Sequence, residues 1–93
     1  MRGEFKMITP EQFDEFMKYV DETKLTKRVK LNGKMYLVDS VFTLDKGFET
    51  MIFECDKEGV VTDWSGEYTE WHESYEDMKH RHKYIINNLQ EVL

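Results

Sequence analysis

The chain is nearly empty of the residues that build cross-links. Cys55 is its one cysteine, so no internal disulfide framework exists, and a reducing, intracellular setting is expected. No apolar run approaches the roughly 20 residues of a membrane span, and no apolar signal core opens the sequence. Positive charge is also in short supply. Lys and Arg number 13 against 19 Asp and Glu, a net −6 that argues against direct binding to DNA, RNA or anionic lipid. The sequence has no G-x-S-x-G, P-loop or G-x-G-x-x-G, and neither H-x-x-x-H nor C-x-x-C spacing. Internal repeats, linkers and low-complexity segments are likewise missing.

What is present suits one small domain over residues 1–93, with 1–8 expected to be irregular or partly disordered. At 93 residues, 40% apolar and 34% charged, the chain has enough material for one modest core. Thr9-Pro10-Glu11-Gln12 is a helix start: a hydroxyl cap, proline at the first helical position, and Gln12 where a capping box needs it. Phe13, Phe16, Met17 and Val20 then recur at i, i+3, i+4 and i+7, which predicts an amphipathic helix over 10–22 facing a sheet.

Strands follow. Val29 and Leu31 alternate with Arg28 and Lys30 before Asn32-Gly33, a pair that tolerates the positive φ angles of a type I′ hairpin. Residues 35–44 form a second strand whose even positions Tyr36, Val38, Phe42 and Leu44 make an apolar face interrupted by Ser40. After the Asp45-Lys46-Gly47 turn, 48–55 is a third strand, with Met51, Phe53 and Cys55 on one side. A tight turn at 56–59 leads to an expected fourth strand at 60–64, broken by Ser65-Gly66. Ser74 caps a second helix in which Met78, His82, Ile85, Leu89 and Val92 share a stripe. The predicted fold is α+β: an N-terminal helix, an antiparallel meander of three or four strands, and a C-terminal helix, both helices on one sheet face.

Charge is unevenly placed. Lys24, Lys27, Arg28, Lys30 and Lys34 have no acid among them, which reads either as a guarded edge strand or as a dock for an acidic partner. Residues 39–79 hold 12 acids and 3 lysines. The densest part includes Glu54, Asp56, Glu58, Asp63, Glu67, Glu70 and Glu73, interleaved with Trp64, Tyr68 and Trp71. Two readings stand for this stretch: solvated turns with tryptophans capping a small core, or a patch that steers a basic protein, with Trp and Tyr as contact anchors.

Chemistry finds little support. His80 and His82 point about 200° apart on a helix and cannot share a metal, and His72 has no companion ligand spacing. Neither a metal nor a cofactor is expected, and no catalytic residue is assigned. His82, within the apolar stripe, is expected to pack and bond a hydroxyl or backbone group. Cys55 alternates in phase with Met51 and Phe53 and reads as a buried, inert thiol. Glu49 shares a strand face with Met51 and Phe53, so a cross-strand partner such as Lys, Arg or Tyr is expected.

The segments V-D-S-V-F-T-L-D at 38–45 and F-E-T-M-I-F at 48–53, with Tyr68 to Trp71, Ser74, Asp77-Met78 and His82, resemble a family of small phage and prophage proteins. That family shows V-S-T-V-[FW]-L-G-x-D followed by F-E-T-M-V-F. The chain departs from the pattern at Lys46, where His is usual, at Thr43, where Gly is common, and in its short Lys46-Gly47 loop. The resemblance implies a phage origin and action in the cytoplasm of a bacterial host; it implies no mechanism. The expected function is that of a non-enzymatic accessory protein that binds and modulates or inhibits a basic host protein, with charge mimicry of nucleic acid as its concrete form. Two alternatives stay open: a small enzyme or ligand-binding domain using Asp39, Asp45, Glu49 and His82, and a structural homodimer.

Overall fold

A computed structural model describes residues 9–93; the segment expected to be irregular, 1–8, lies outside them. Thr9 closes a capping box with Gln12: the Gln12 amide donates to the threonine hydroxyl while its side chain accepts from the Thr9 amide. From this start α1 runs Pro10–Thr23. β1 (Leu25–Leu31) and β2 (Lys34–Thr43) are joined by Asn32-Gly33, at φ 52° and 83°, the left-handed pair that a type I′ turn requires. β3 (Gly47–Cys55) and β4 (Tyr68–His72) complete an antiparallel meander in the order β1-β2-β3-β4. α2 (Tyr75–Asn87) starts at Ser74, whose hydroxyl accepts from the Asp77 amide, and a short α3 (Leu89–Val92) ends the described chain. The α+β architecture is as the periodicities indicate.

Strand alternation sorts the sheet into two faces. One carries Tyr36, Val38, Ser40 and Phe42 of β2 opposite Glu54, Ile52, Thr50 and Phe48 of β3. Both helices pack here. Val38 and Ile52 are fully buried against Ile85 of α2 and Leu89 of α3. The other face carries Leu37, Phe53 and Cys55, covered by the connection between β3 and β4, with Val61, Met35 and Met51 packed alongside. Cys55 is buried, as its phase indicates, and burial pushes its thiol pKa up.

Three local expectations are corrected. The fourth strand is Tyr68–His72, and 60–64 is loop. Val61 makes a single bridge to Cys55, after which Asp63 draws the Ser65 amide and hydroxyl onto its own carboxylate and Gly66 turns at φ 86°. A side chain that captures nearby amides ends ladder pairing despite the β-branched residues before it. The second helix breaks at Asn88, φ −138°, where Asn87 and Asn88 side chains donate to the Lys83 and Tyr84 carbonyls. Last, α1 sits over one end of the sheet rather than across it. Phe16 and Tyr19 stack on Phe42, 5.7 and 5.3 Å between centroids, whereas Phe13 and Met17 of the expected buried stripe stay exposed. Tyr19 is itself 40% exposed, so α1 meets the sheet by an aromatic edge rather than by a buried stripe.

Candidate functional site

The connection 56–67 is a shaped loop. Asp56 Oδ1 accepts from the amides of Glu58 and Val60, both at 2.9 Å, and the Asp56 amide donates back to the Val60 carbonyl at 2.8 Å. Gly59 turns at φ 84° directly beneath Arg28, whose Nε donates to the Gly59 carbonyl at 2.8 Å. A Cβ there would take a strained positive φ and stand 2.8 Å from that Nε, so a larger residue would displace the Arg28 side chain. The Thr62 amide ties to the Glu54 carbonyl, and the Glu67 amide to Ile52 at 2.7 Å. Held this way, the loop lays the Trp64 ring against Phe53 at 5.0 Å while leaving Trp64 69% exposed. Asp56, Glu58, Asp63 and Glu67 of this loop are all exposed; Asp56 and Lys57 share a cleft with Lys30 and Lys34, and Arg28 lies over Gly59, so the half of the loop nearer Trp64 is the less neutralised one. The two hydrogen bonds from Ser65 hold the Asp63 carboxyl below its usual range.

The rest of the acidic stretch does not join this surface. Glu54 lies on the helix-covered face at the hairpin end, 3.8 Å from Lys34 Nζ. Glu73 follows β4 at its far end, roughly 20 Å from Glu67 at the rise of an extended chain. Trp71 is exposed on the loop-covered side of the sheet, paired in register with Glu49. Tyr68 and Glu70 turn under α2. Glu70 accepts two hydrogen bonds from Arg81 at 2.8 Å each, a bidentate clamp, and one from the Tyr68 hydroxyl at 2.6 Å. The Arg81 bonds, set against burial, hold the Glu70 carboxyl below its ordinary value, and the bond to Glu70 pushes the Tyr68 phenol up.

Beside that clamp lies a feature that residue spacing did not reveal. His72 Nδ1 is 3.6 Å from Glu70 Oε2, and its Nε2 is 2.8 Å from Thr50 Oγ1. Thr50 Oγ1 is 2.6 Å from Ser40 Oγ, and Ser40 Oγ is 2.8 Å from His82 Nδ1. Ser40 and Thr50 are fully buried, His82 is buried, and the His72 side chain is 3% exposed. Desolvation lowers the pKa of both imidazoles, opposed at His72 by Glu70 and at His82 by Asp39. His82 thus bonds a hydroxyl within the packed stripe, as its position on α2 indicates. Ser40, the polar break in an apolar strand face, was the one visible signal of this chain of groups.

A serine 2.8 Å from an imidazole has the makings of a nucleophile and base. Here α2 seals the pair, and two clefts among the described residues, of about 490 and 190 Å³, are lined by no member of the chain. The alternative quartet is not assembled. His82 projects from α2 onto the helix-covered sheet face, Asp39 and Glu49 project from the opposite face with Asp39 accepting from Thr26 at 3.0 Å, and Asp45 is exposed in the β2–β3 turn. Glu49 is buried in register between Val41 and Trp71, and among the described residues no side-chain hydrogen bond or ion pair reaches it. No three His, Cys, Asp or Glu side chains among the described residues converge as metal ligands, and no helix among them is long and apolar enough to cross a membrane. Set against protein-family models, curated proteins and solved structures, the chain matches none of them.

Proposed function

We propose that the protein is a non-enzymatic binding domain that docks a basic partner protein on the 56–67 loop, with Trp64 as anchor. The observation that carries this reading is the combination of exposure and fixity at Trp64: the ring stands in solvent, yet a loop with its own hydrogen bonds and a phenylalanine floor hold it in place. Tryptophan held this way loses little freedom on binding, which is the property of an interface anchor. The exposed carboxylates of the same loop supply the steering field, with Asp63 and Glu67 standing apart from the lysines beside Asp56. An accessory protein that modulates a host factor, in keeping with the resemblance to phage proteins, is the biological form we favour. Any mimicry of nucleic-acid charge is then confined to this loop, because Glu70 is occupied by Arg81 and Glu73 stands at the other end of β4.

The test compares capture of proteins from a bacterial lysate at low and high salt. The wild type, Trp64→Ala, and a charge-removed loop (Asp56→Asn, Glu58→Gln, Asp63→Asn, Glu67→Gln) are used as baits. Asparagine keeps the acceptor oxygen that shapes each turn, so the loop survives the loss of charge. A partner retained by the wild type at low salt should be lost at high salt, and lost from both variants, while Glu73→Gln retains it. Equal retention by Trp64→Ala, or an affinity indifferent to salt, overturns the reading.

A further inference from the structure

Three contacts of 2.8, 2.6 and 2.8 Å link His82 Nδ1, Ser40 Oγ, Thr50 Oγ1 and His72 Nε2 in series. Each gap is short enough to require a hydrogen in it, because two lone pairs at such distances repel. The two hydroxyls supply two hydrogens for three gaps. One inward ring nitrogen must therefore carry the third. If neither did, one gap would be bare; if both did, a hydroxyl hydrogen would be expelled into a buried site. All three bonds must also point the same way along the chain.

Glu70 selects the direction. Its Oε2 lies 3.6 Å from His72 Nδ1, so a proton on Nδ1 is attracted and a lone pair there is repelled. His72 Nε2 is then an acceptor. Thr50 donates to it, Ser40 donates to Thr50, and His82 Nδ1–H donates to Ser40. Both histidines are placed in the Nδ1–H tautomer, the form an isolated histidine side chain favours less.

We infer that this chain is a proton relay across the helix-covered sheet face, coupling α2 at His82 to the Glu70–Arg81 clamp at His72. A proton taken up at His82 Nε2 moves three hydrogens one place each: Nδ1–H to Ser40, Ser40 to Thr50, Thr50 to His72 Nε2. His82 ends neutral as the Nε2–H tautomer, and the charge emerges as the His72 imidazolium beside the Glu70 carboxylate. One proton enters and one positive charge results. The charged groups acting on His72 are Glu70 of β4 with Arg81 and Asp77 of α2; the one acting on His82 is Asp39, from the opposite face of β2. A second proton places four hydrogens in three gaps and breaks the chain, so the two histidines titrate as a coupled pair.

Nitrogen-resolved NMR of the ¹⁵N-histidine-labelled full chain tests this, with exposed His80 as internal reference. At pH 8 the wild type should show His72 and His82 as Nδ1–H. On acidification, His72 should charge while His82 changes tautomer at the same midpoint. Glu70→Gln with Oε1 kept as acceptor for Tyr68 and Arg81 Nη2 puts an amide N–H at the Oε2 position, where Arg81 Nε loses its acceptor and His72 Nδ1 meets a donor. Both histidines should then switch to Nε2–H together, although the substituted side chain does not touch His82. With Thr50→Val added, His72 should still switch and His82 should no longer follow. His82 found as Nε2–H in the wild type, or independent titration of the two rings, overturns the relay. That wild-type measurement needs no variant to fold, and Thr50→Ser, which keeps the hydroxyl, should leave both tautomers unchanged.

Discussion

Ser40 and Thr50 are fully buried polar side chains whose hydroxyls are satisfied by each other and by two imidazoles. A buried polar group with a partner costs little, and one without a partner costs its full desolvation. Ser40→Ala removes the middle of the chain and leaves His82 Nδ1 and Thr50 Oγ1 unmet beneath α2. Denaturant unfolding should show a loss of about 1–3 kcal/mol, the range for orphaned buried partners. Ser40→Thr, which keeps the oxygen, should lose less unless its methyl is crowded out, and near-UV circular dichroism would report that crowding as a changed aromatic environment. A Ser40→Ala variant as stable as the wild type would mean that the short contacts carry no weight. The same economy explains why Glu70 left the acidic surface: Arg81 offers two charge-assisted bonds in a fixed fork, more than solvent provides.

At the level of elements, the two long helices are held by different means. α2 sets Met78 and Ile85 fully into the core and adds the His82 and Arg81 bonds to the sheet. α1 touches the sheet end through an aromatic cluster and leaves Phe13 48% and Met17 39% exposed. Amides of α1 should therefore exchange with solvent through smaller openings than those of α2, since elements with few buried contacts open first. Ile85→Ala should cost about 2–5 kcal/mol, the range for a fully buried aliphatic truncated in a packed site. Phe13→Ala should stay within about 1 kcal/mol, because half of its surface already faces water. Hydrogen exchange that finds α1 as protected as α2, or a severe cost at Phe13, would contradict this division of labour.

Across the whole molecule, the described chain is long for its size, 46 × 27 × 25 Å with a radius of gyration of 15.1 Å, where a compact domain of this length would be near about 12 Å. Global stability should depend on pH through the two buried histidines. Both have folded pKa values below the ordinary 6.5, so the folded state resists protons that the unfolded chain accepts. Stability is then fully present above that value and falls as pH drops below it, by up to roughly 1.4 kcal/mol per pH unit for each ring. Glu70 adds a second loss, from 4.5 downward through its lowered folded value, as the Arg81 clamp loses its charge. Unfolding free energies flat from about pH 7.5 to about pH 5 would contradict the sign for the histidines.

The capping box at Thr9, the Asn32-Gly33 turn, the strand alternation and the place of His82 in an apolar stripe were all legible in the chain, because each depends on neighbours within a few residues. The Ser40–Thr50, Thr50–His72 and Ser40–His82 contacts span 10, 22 and 42 residues, and strand register and helix placement alone bring them together. The acidic stretch divides for the same reason. Composition counts its carboxylates, but whether each faces solvent, a turn amide or Arg81 is settled by which strand face and which end of the sheet it occupies.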